Sequence, residues 1–66
     1  MTKAQIEASL NFSAETLAQA EEIRQRIGAE PFPRRPYWQE RLNYADKLID
    51  EIKAHRSRLM EQLINA

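Results

Sequence analysis

All the residues that interrupt helices are gathered in one short stretch of this 66-residue chain. The only glycine and all three prolines fall in the segment Gly28-Ala29-Glu30-Pro31-Phe32-Pro33-Arg34-Arg35-Pro36. Glycine and proline are the strongest local breaks in regular structure. The stretch therefore predicts one connector, residues 28–36, between two long segments that nothing interrupts.

Both of these segments carry signals for helix ends. Thr2 followed three residues later by Gln5 matches a capping box, and the glycine of the connector matches a helix C-terminus. We therefore predict helix 1 over about 3–27. Pro36 suits the first turn of a helix, which predicts helix 2 over about 36–64.

A second start signal lies inside helix 1, where Ser13 is able to cap a new helix. The apolar spacing nevertheless continues in phase across this point, from Ile6 and Leu10 to Leu17 and Ala20. A true break would usually lose that phase. We expect one continuous helix.

The apolar residues of both predicted helices follow a heptad pattern, the spacing of helices that pack side by side. In helix 1 the seam positions are Ile6, Leu10, Ser13, Leu17, Ala20, Arg24 and Ile27. In helix 2 they are Trp38, Leu42, Ala45, Ile49, Ile52, Arg56, Leu59 and Leu63. Folding the chain back at the connector pairs these positions so that each pair of residue numbers sums to 65 or 66. One antiparallel register therefore aligns every layer, with Ala20 facing Ala45.

Two arginines, Arg24 and Arg56, interrupt this otherwise mostly apolar seam. We expect their aliphatic stems to pack along the seam while the guanidinium groups reach outward to water. The alternative is that each guanidinium group meets a carboxylate on a partner.

A two-helix hairpin cannot enclose its own seam, so the neighbouring positions indicate where a further layer packs. Aromatic and aliphatic residues lie on the same side of both seams, a composition typical of an interface core. The predicted fold class is all-α, a single helical-hairpin domain over 1–66 that completes a four-helix bundle by homodimerisation or by packing on a partner. The predicted self-association face comprises Phe12, Ile23, Tyr37, Tyr44, Leu48 and His55.

Basic and aromatic residues also cluster in and after the connector. Arginine, tyrosine and tryptophan dominate the hot spots of protein interfaces, and arginines beside aromatic rings also form single-stranded nucleic-acid sites. Ten basic and ten acidic residues leave no net charge to attract nucleic acid, so we favour a protein partner. The predicted partner-binding tip comprises Arg34, Arg35, Tyr37, Trp38 and Arg41.

The sequence has no pattern typical of a catalytic site. There is no glycine-rich phosphate loop, and the single histidine, His55, has no nucleophile beside it in a recognisable arrangement. We favour a hydrogen-bonded role for His55 over a pH switch, and over a metal ion shared with Glu51 between two copies. We expect no enzyme activity, no cofactor and no metal.

The absence of cysteine fits a reducing compartment. The chain has no basic segment followed by an apolar core at its start, and no run of about 20 apolar residues that would span a membrane. We expect a soluble, cytoplasmic protein with no membrane partner.

In size and in its two heptad segments, the chain is similar in architecture to plasmid-encoded RNA-binding hairpins that dimerise into four-helix bundles. It is also similar to the helical-hairpin co-chaperones of type III secretion needles, and short phage-encoded inhibitors take the same form. These resemblances carry over no functional residues. We expect a small interaction module, an adaptor, inhibitor or chaperone. The alternatives are a dimeric RNA- or DNA-binding regulator and a structural component of a phage or secretion particle.

Overall fold

The computed structural model describes residues 2–65, so positions 1 and 66 of the predicted domain lie outside the described residues. Helix α1 covers Lys3–Gly28 and helix α2 covers Trp38–Ile64. The two helices pack against each other as an antiparallel hairpin, and no strand occurs within the described range. The all-α, two-helix fold is therefore confirmed. Within the described residues, neither helix is long and apolar enough to cross a membrane.

Helix α1 begins as predicted, because Thr2 and Gln5 cap it reciprocally. The Thr2 N–H donates to Gln5 Oε1 at 2.8 Å, and the Gln5 N–H donates to Thr2 Oγ1 at 3.2 Å. The helix continues past Ser13, whose hydroxyl donates back to the Leu10 carbonyl at 2.9 Å. A hydroxyl used in this way is not capping a new helix, and the prediction of one continuous helix is confirmed.

The start of helix α2 differs from the prediction. Pro36 lies in a turn, and the helix begins two residues later at Trp38. Tyr37, between them, has a left-handed backbone with φ 61° and ψ 29°. A left-handed residue cannot be part of a right-handed helix, so helix α2 cannot extend back through Tyr37. Pro36 therefore belongs to the connector, which also contains a cis peptide bond between Phe32 and Pro33.

The buried residues in the described range all occupy predicted seam positions. They are Ile6, Ser13, Ala20, Ala45, Ile49 and Leu59. The predicted register also holds near both ends of the hairpin. Trp38 Nε1 donates to the Ile27 carbonyl at 2.6 Å, and Arg56 Nη1 donates to the Leu10 carbonyl at 2.8 Å.

Both seam arginines find partners inside the chain, but only Arg56 differs from the prediction, because Arg24 still reaches the surface. Arg56 turns its guanidinium group into the seam and donates to Ser13 Oγ at 2.9 Å, as well as to the Leu10 carbonyl. Arg24 pairs across the hairpin with Asp46 of the same chain. A charged group that leaves water needs hydrogen-bond partners. The Ser13 hydroxyl and the Leu10 carbonyl therefore explain why Arg56 occupies the seam.

The buried alanine layer leads to a stability prediction. Ala45→Leu should destabilise the protein by about 1–3 kcal/mol, because extra methylenes must fit where Ala20 and Ala45 are both buried. Ala54→Leu, at an exposed position of the same helix, should change stability by less than about 0.5 kcal/mol. Urea unfolding followed by circular dichroism measures both variants. An Ala45→Leu variant as stable as the parent would contradict this close packing.

The hairpin is long and only one layer thick, with extents of 51 × 15 × 13 Å. Its accessible surface is 5173 Å2, whereas a compact folded monomer of this size exposes about 4,400 Å2. The excess of about 800 Å2 is similar to the area that one partner buries in a standard-size protein interface. The fold therefore leaves enough surface uncovered for one such interface.

Candidate functional site

One side of the hairpin exposes the large apolar residues that the sequence places beside its seam. Phe12 is 71% exposed, Tyr44 is 70% exposed and Ile23 is 52% exposed. Leu48 is half-buried on the same side. Apolar residues scattered singly over a surface are ordinary, but a contiguous patch marks an interaction site.

A groove on this side runs beside the half of the hairpin that lies away from the connector. It has a volume of about 540 Å3 and is lined by Phe12, Thr16, Leu48 and His55 among others. We call it the loop-distal groove. His55 is exposed at its edge, together with Glu51.

A second groove lies nearer to the connector, and Leu48 lines it as well. This loop-proximal groove has a volume of about 360 Å3, with the buried Ala20 and Ala45 at its floor and the exposed Ile23 and Tyr44 at its walls. Because Leu48 is common to both grooves, they form one continuous surface. We call this surface the apolar face and define it by Phe12, Ile23, Tyr44, Leu48 and His55.

Tyr37, the sixth residue of the predicted self-association face, lines neither groove. It lies in the turn before helix α2 and is 75% exposed. Its left-handed backbone separates it from the regular spacing of the helix. The structure thus brings five of the six predicted residues together and places Tyr37 at the tip.

The opposite side of the hairpin is mostly polar, with Met60 and Ile64 exposed near the end of helix α2. A shallow depression there is lined by charged residues, including the Arg24–Asp46 ion pair, Glu21, Asp50 and Lys53. The two sides therefore differ in chemistry, and the contrast makes the apolar face distinct.

Glu30, which is not among the predicted tip residues, organises the tip. The Arg35 N–H and Arg35 Nε donate to Glu30 Oε1 at 2.7 Å and 3.0 Å. Arg41 Nη2 donates to Glu30 Oε2 at 2.9 Å. The Glu30 side chain is only 12% exposed. Two of the three predicted tip arginines are therefore bound to a carboxylate of their own connector.

The third tip arginine, Arg34, lies between two aromatic rings. Its guanidinium carbon is 3.8 Å from the centroid of the Trp38 ring and 4.1 Å from that of the Phe32 ring. Such cation–π contacts are attractive, more so where the cation is shielded from water. The Trp38 indole N–H is itself bonded to the Ile27 carbonyl. Apart from Tyr37, the predicted tip residues thus make contacts that close the hairpin.

The hydrogen bonds at Glu30 lower the pKa of its carboxyl group from 4.5 to about 2. The largest cause is the hydrogen bond from the Arg35 backbone N–H, and desolvation opposes it. The guanidinium groups of Arg41 and Arg35 lower the pKa further. All these donors favour the ionised carboxylate.

This lowered pKa predicts an acid-dependent loss of stability. A carboxyl group with a lower pKa in the folded state stabilises the fold above its unfolded pKa, and the contribution disappears as pH falls from about 4.5 toward 2. Glu30→Gln should therefore be less stable than the parent at pH 7, and its melting temperature should fall less steeply in that window. Glu15→Gln, at an exposed helix position, is the control and should keep the parental slope. Equal slopes for the parent and Glu30→Gln would contradict this role of Glu30.

No group of three or more histidine, aspartate and glutamate residues is placed to hold a metal ion within residues 2–65. No protein family, curated protein or solved structure matches this chain. The apolar face and the tip are therefore the features from which its function is inferred.

Proposed function

We propose that this chain is a small, non-catalytic protein–protein interaction module that works in the cytoplasm. It binds a helical surface through its apolar face, and a second copy of the chain is the first partner that we propose. An adaptor, an inhibitor or a chaperone would act in this way. The observation that carries the proposal is the continuous apolar face on one side of a single-layer hairpin.

The small core of the hairpin supports association. Only five hydrophobic side chains are buried within residues 2–65, and two of them are alanines. Chains of this length are usually reinforced by disulfides, a metal ion or oligomerisation. The sequence contains no cysteine, so disulfides are excluded. Association through the apolar face would supply the second layer that a helix pair needs.

Self-association would give a four-helix bundle. A two-fold axis buries the same surface of both copies, so one apolar face is enough to form a closed dimer. The uncovered area of about 800 Å2 per chain fits an interface of standard size. The polar opposite side would remain in water.

The pairing at the tip favours a protein partner over nucleic acid. Arg35 and Arg41 share the carboxylate of Glu30, which offsets one of their two positive charges. Affinity for nucleic acid depends mainly on basic groups that neutralise phosphates. The alternative is a dimeric RNA- or DNA-binding regulator. It would rely on five basic residues: Arg34, Arg35, Arg41, Lys53 and Arg58.

Binding to mixed-sequence RNA and DNA oligonucleotides, measured by fluorescence anisotropy at several salt concentrations, separates these two classes. We expect weak binding that is unchanged in Arg34→Glu/Arg35→Glu. The same double variant loses the side-chain contacts of Arg34 and Arg35 at the tip and should be less stable. It should still associate with its own copies, because its substitutions lie outside the apolar face.

A second variant, Lys53→Glu/Arg58→Glu, tests the basic residues farther along helix α2 without disturbing the tip. Tight oligonucleotide binding that falls steeply with salt and is lost in either variant would contradict the proposal. That result would favour the nucleic-acid regulator instead.

A further inference from the structure

We infer that two copies pack with their apolar faces together and their long axes antiparallel, so that the two connectors lie at opposite ends of the bundle. This inference rests on the proposed self-association. It adds the orientation of the second copy and the residues that meet across the interface.

The spacing of the large side chains along the apolar face supports this orientation. Phe12 and Ile23 are eleven residues apart on helix α1, and Tyr44 and His55 are eleven residues apart on helix α2. Eleven residues make about three turns, or roughly 16 Å. In the antiparallel register of the hairpin, the midpoints of the two pairs lie at nearly the same level, beside Leu48. The face therefore has a centre about which its large residues are evenly placed.

Consider a two-fold axis that lies between the two copies at this level and runs across both helices, perpendicular to them. Rotation about this axis places one member of each pair opposite the other member on the partner. It sets Phe12 against the partner's Ile23, and His55 at the level of the partner's Tyr44. Helix α1 then lies over the partner's α1, and α2 lies over the partner's α2. The same contacts form twice, as a closed dimer requires.

The shapes of the two ends of the face are complementary in this arrangement. Phe12 projects from the loop-distal end and is 71% exposed. The loop-proximal groove is a hollow, because Ala20 and Ala45 at its floor are small. The antiparallel arrangement brings the Phe12 ring of each copy over the partner's hollow. An aromatic side chain in an apolar pocket is a typical interface hot spot.

The other face-to-face arrangement, with both connectors at the same end, fits less well. Each loop-proximal hollow would then face its own counterpart, and Phe12 would lie at the level of the partner's Glu51 and His55. Unfilled hollows lose van der Waals contacts. Charge weakly favours this arrangement, since residues 1–30 carry three basic and five acidic groups and residues 31–66 carry seven and five. Exposed ion pairs are weak and screened by salt, so packing decides between the two.

Distances between spin labels in the full-length protein test the orientation. Because the chain has no cysteine, a single introduced cysteine is labelled specifically. Labels at Ala29→Cys, in the connector, should be about 40 Å apart in the antiparallel dimer, from the helical rise of 1.5 Å per residue. In a mixture of Ala29→Cys with Glu61→Cys, the labels on different copies should lie within about 30 Å of each other. Both positions are exposed, and helical spacing places them on the sides of their helices away from the apolar face.

The reversed pattern, with a short Ala29–Ala29 distance and a long mixed distance, would overturn the orientation but leave self-association standing. Absence of any intermolecular signal at tens of micromolar would overturn both.

The insertion of Phe12 into the partner's hollow is tested separately. Phe12→Ala should weaken dimerisation by about tenfold or more. Ile64→Ala, an exposed apolar position outside both grooves, should leave the dimer unchanged. Equal effects of these two substitutions would overturn the insertion of Phe12.

Discussion

Replacement of Tyr44 and Leu48 by glutamate is expected to convert the protein into a poorly folded monomer. Leu48 lines both grooves and Tyr44 forms a wall of one of them. Burying two unpaired carboxylates in an apolar interface would cost several kcal/mol, which is comparable to the whole free energy of unfolding of a small domain. Sedimentation velocity should show the loss of association, and far-UV circular dichroism should show the loss of helix.

The matched control for this variant places the same charges on the polar side. Gln25 and Ser57 are exposed and lie on the opposite side of their helices from the apolar face. Gln25→Glu/Ser57→Glu should therefore keep both the helix content and the association of the parent. If both double variants behave alike, the apolar face has no special role in the assembly.

Removing the Trp38 side chain is expected to give the largest loss of stability from a single residue at the tip. Trp38 packs against Arg34, and its indole N–H donates to the Ile27 carbonyl at 2.6 Å. Trp38→Ala should destabilise the protein by about 2–4 kcal/mol, the lower part of the range for large aromatic residues because the ring is half-buried. Urea unfolding at one fixed protein concentration measures the loss.

Trp38→Phe separates the hydrogen bond of Trp38 from its packing. Phenylalanine keeps a ring against Arg34 but lacks the N–H, so this variant should lose only about 1 kcal/mol. A Trp38→Ala variant that loses no more than Trp38→Phe would show that packing of the ring contributes little. In that case the connector would be held chiefly by Glu30.

The two-helix fold and its register could be predicted because they depend on regular spacing. The heptad positions of both helices include every buried residue in the described range. The breakers in the connector fix where the chain reverses. The reversal and the heptad spacing together determine that Ile27 meets Trp38 and that Leu10 meets Arg56. The capping box at Thr2 is equally local, since it needs only residues three positions apart.

The contacts of the tip could not be predicted in the same way, because they depend on the path of an irregular connector. Glu30 binds Arg35 and Arg41 across a turn whose left-handed residue, Tyr37, is not a glycine. One signal was present in the sequence, since Glu30 is the only carboxylate between positions 28 and 39, and two arginines follow four and five positions later. The stacking of Arg34 between Phe32 and Trp38 likewise depends on where the connector places the two rings.

The candidate site was predictable in its residues but not in its shape. The side on which Phe12, Ile23, Tyr44, Leu48 and His55 lie follows from their offset to the seam. The two grooves depend instead on how far each side chain projects beside the small Ala20 and Ala45. How far a side chain projects depends on the packed hairpin and cannot be predicted from helical spacing alone.

Sedimentation equilibrium of the unmodified protein at tens of micromolar tests the central proposal most directly. Self-association through the apolar face predicts a single species of twice the chain mass, with circular dichroism showing two long helices. Dilution should lower the helix content together with the mass, because the second layer supplies stability that the hairpin lacks. A fully helical monomer over the same concentrations would contradict self-association and leave the apolar face to a different protein.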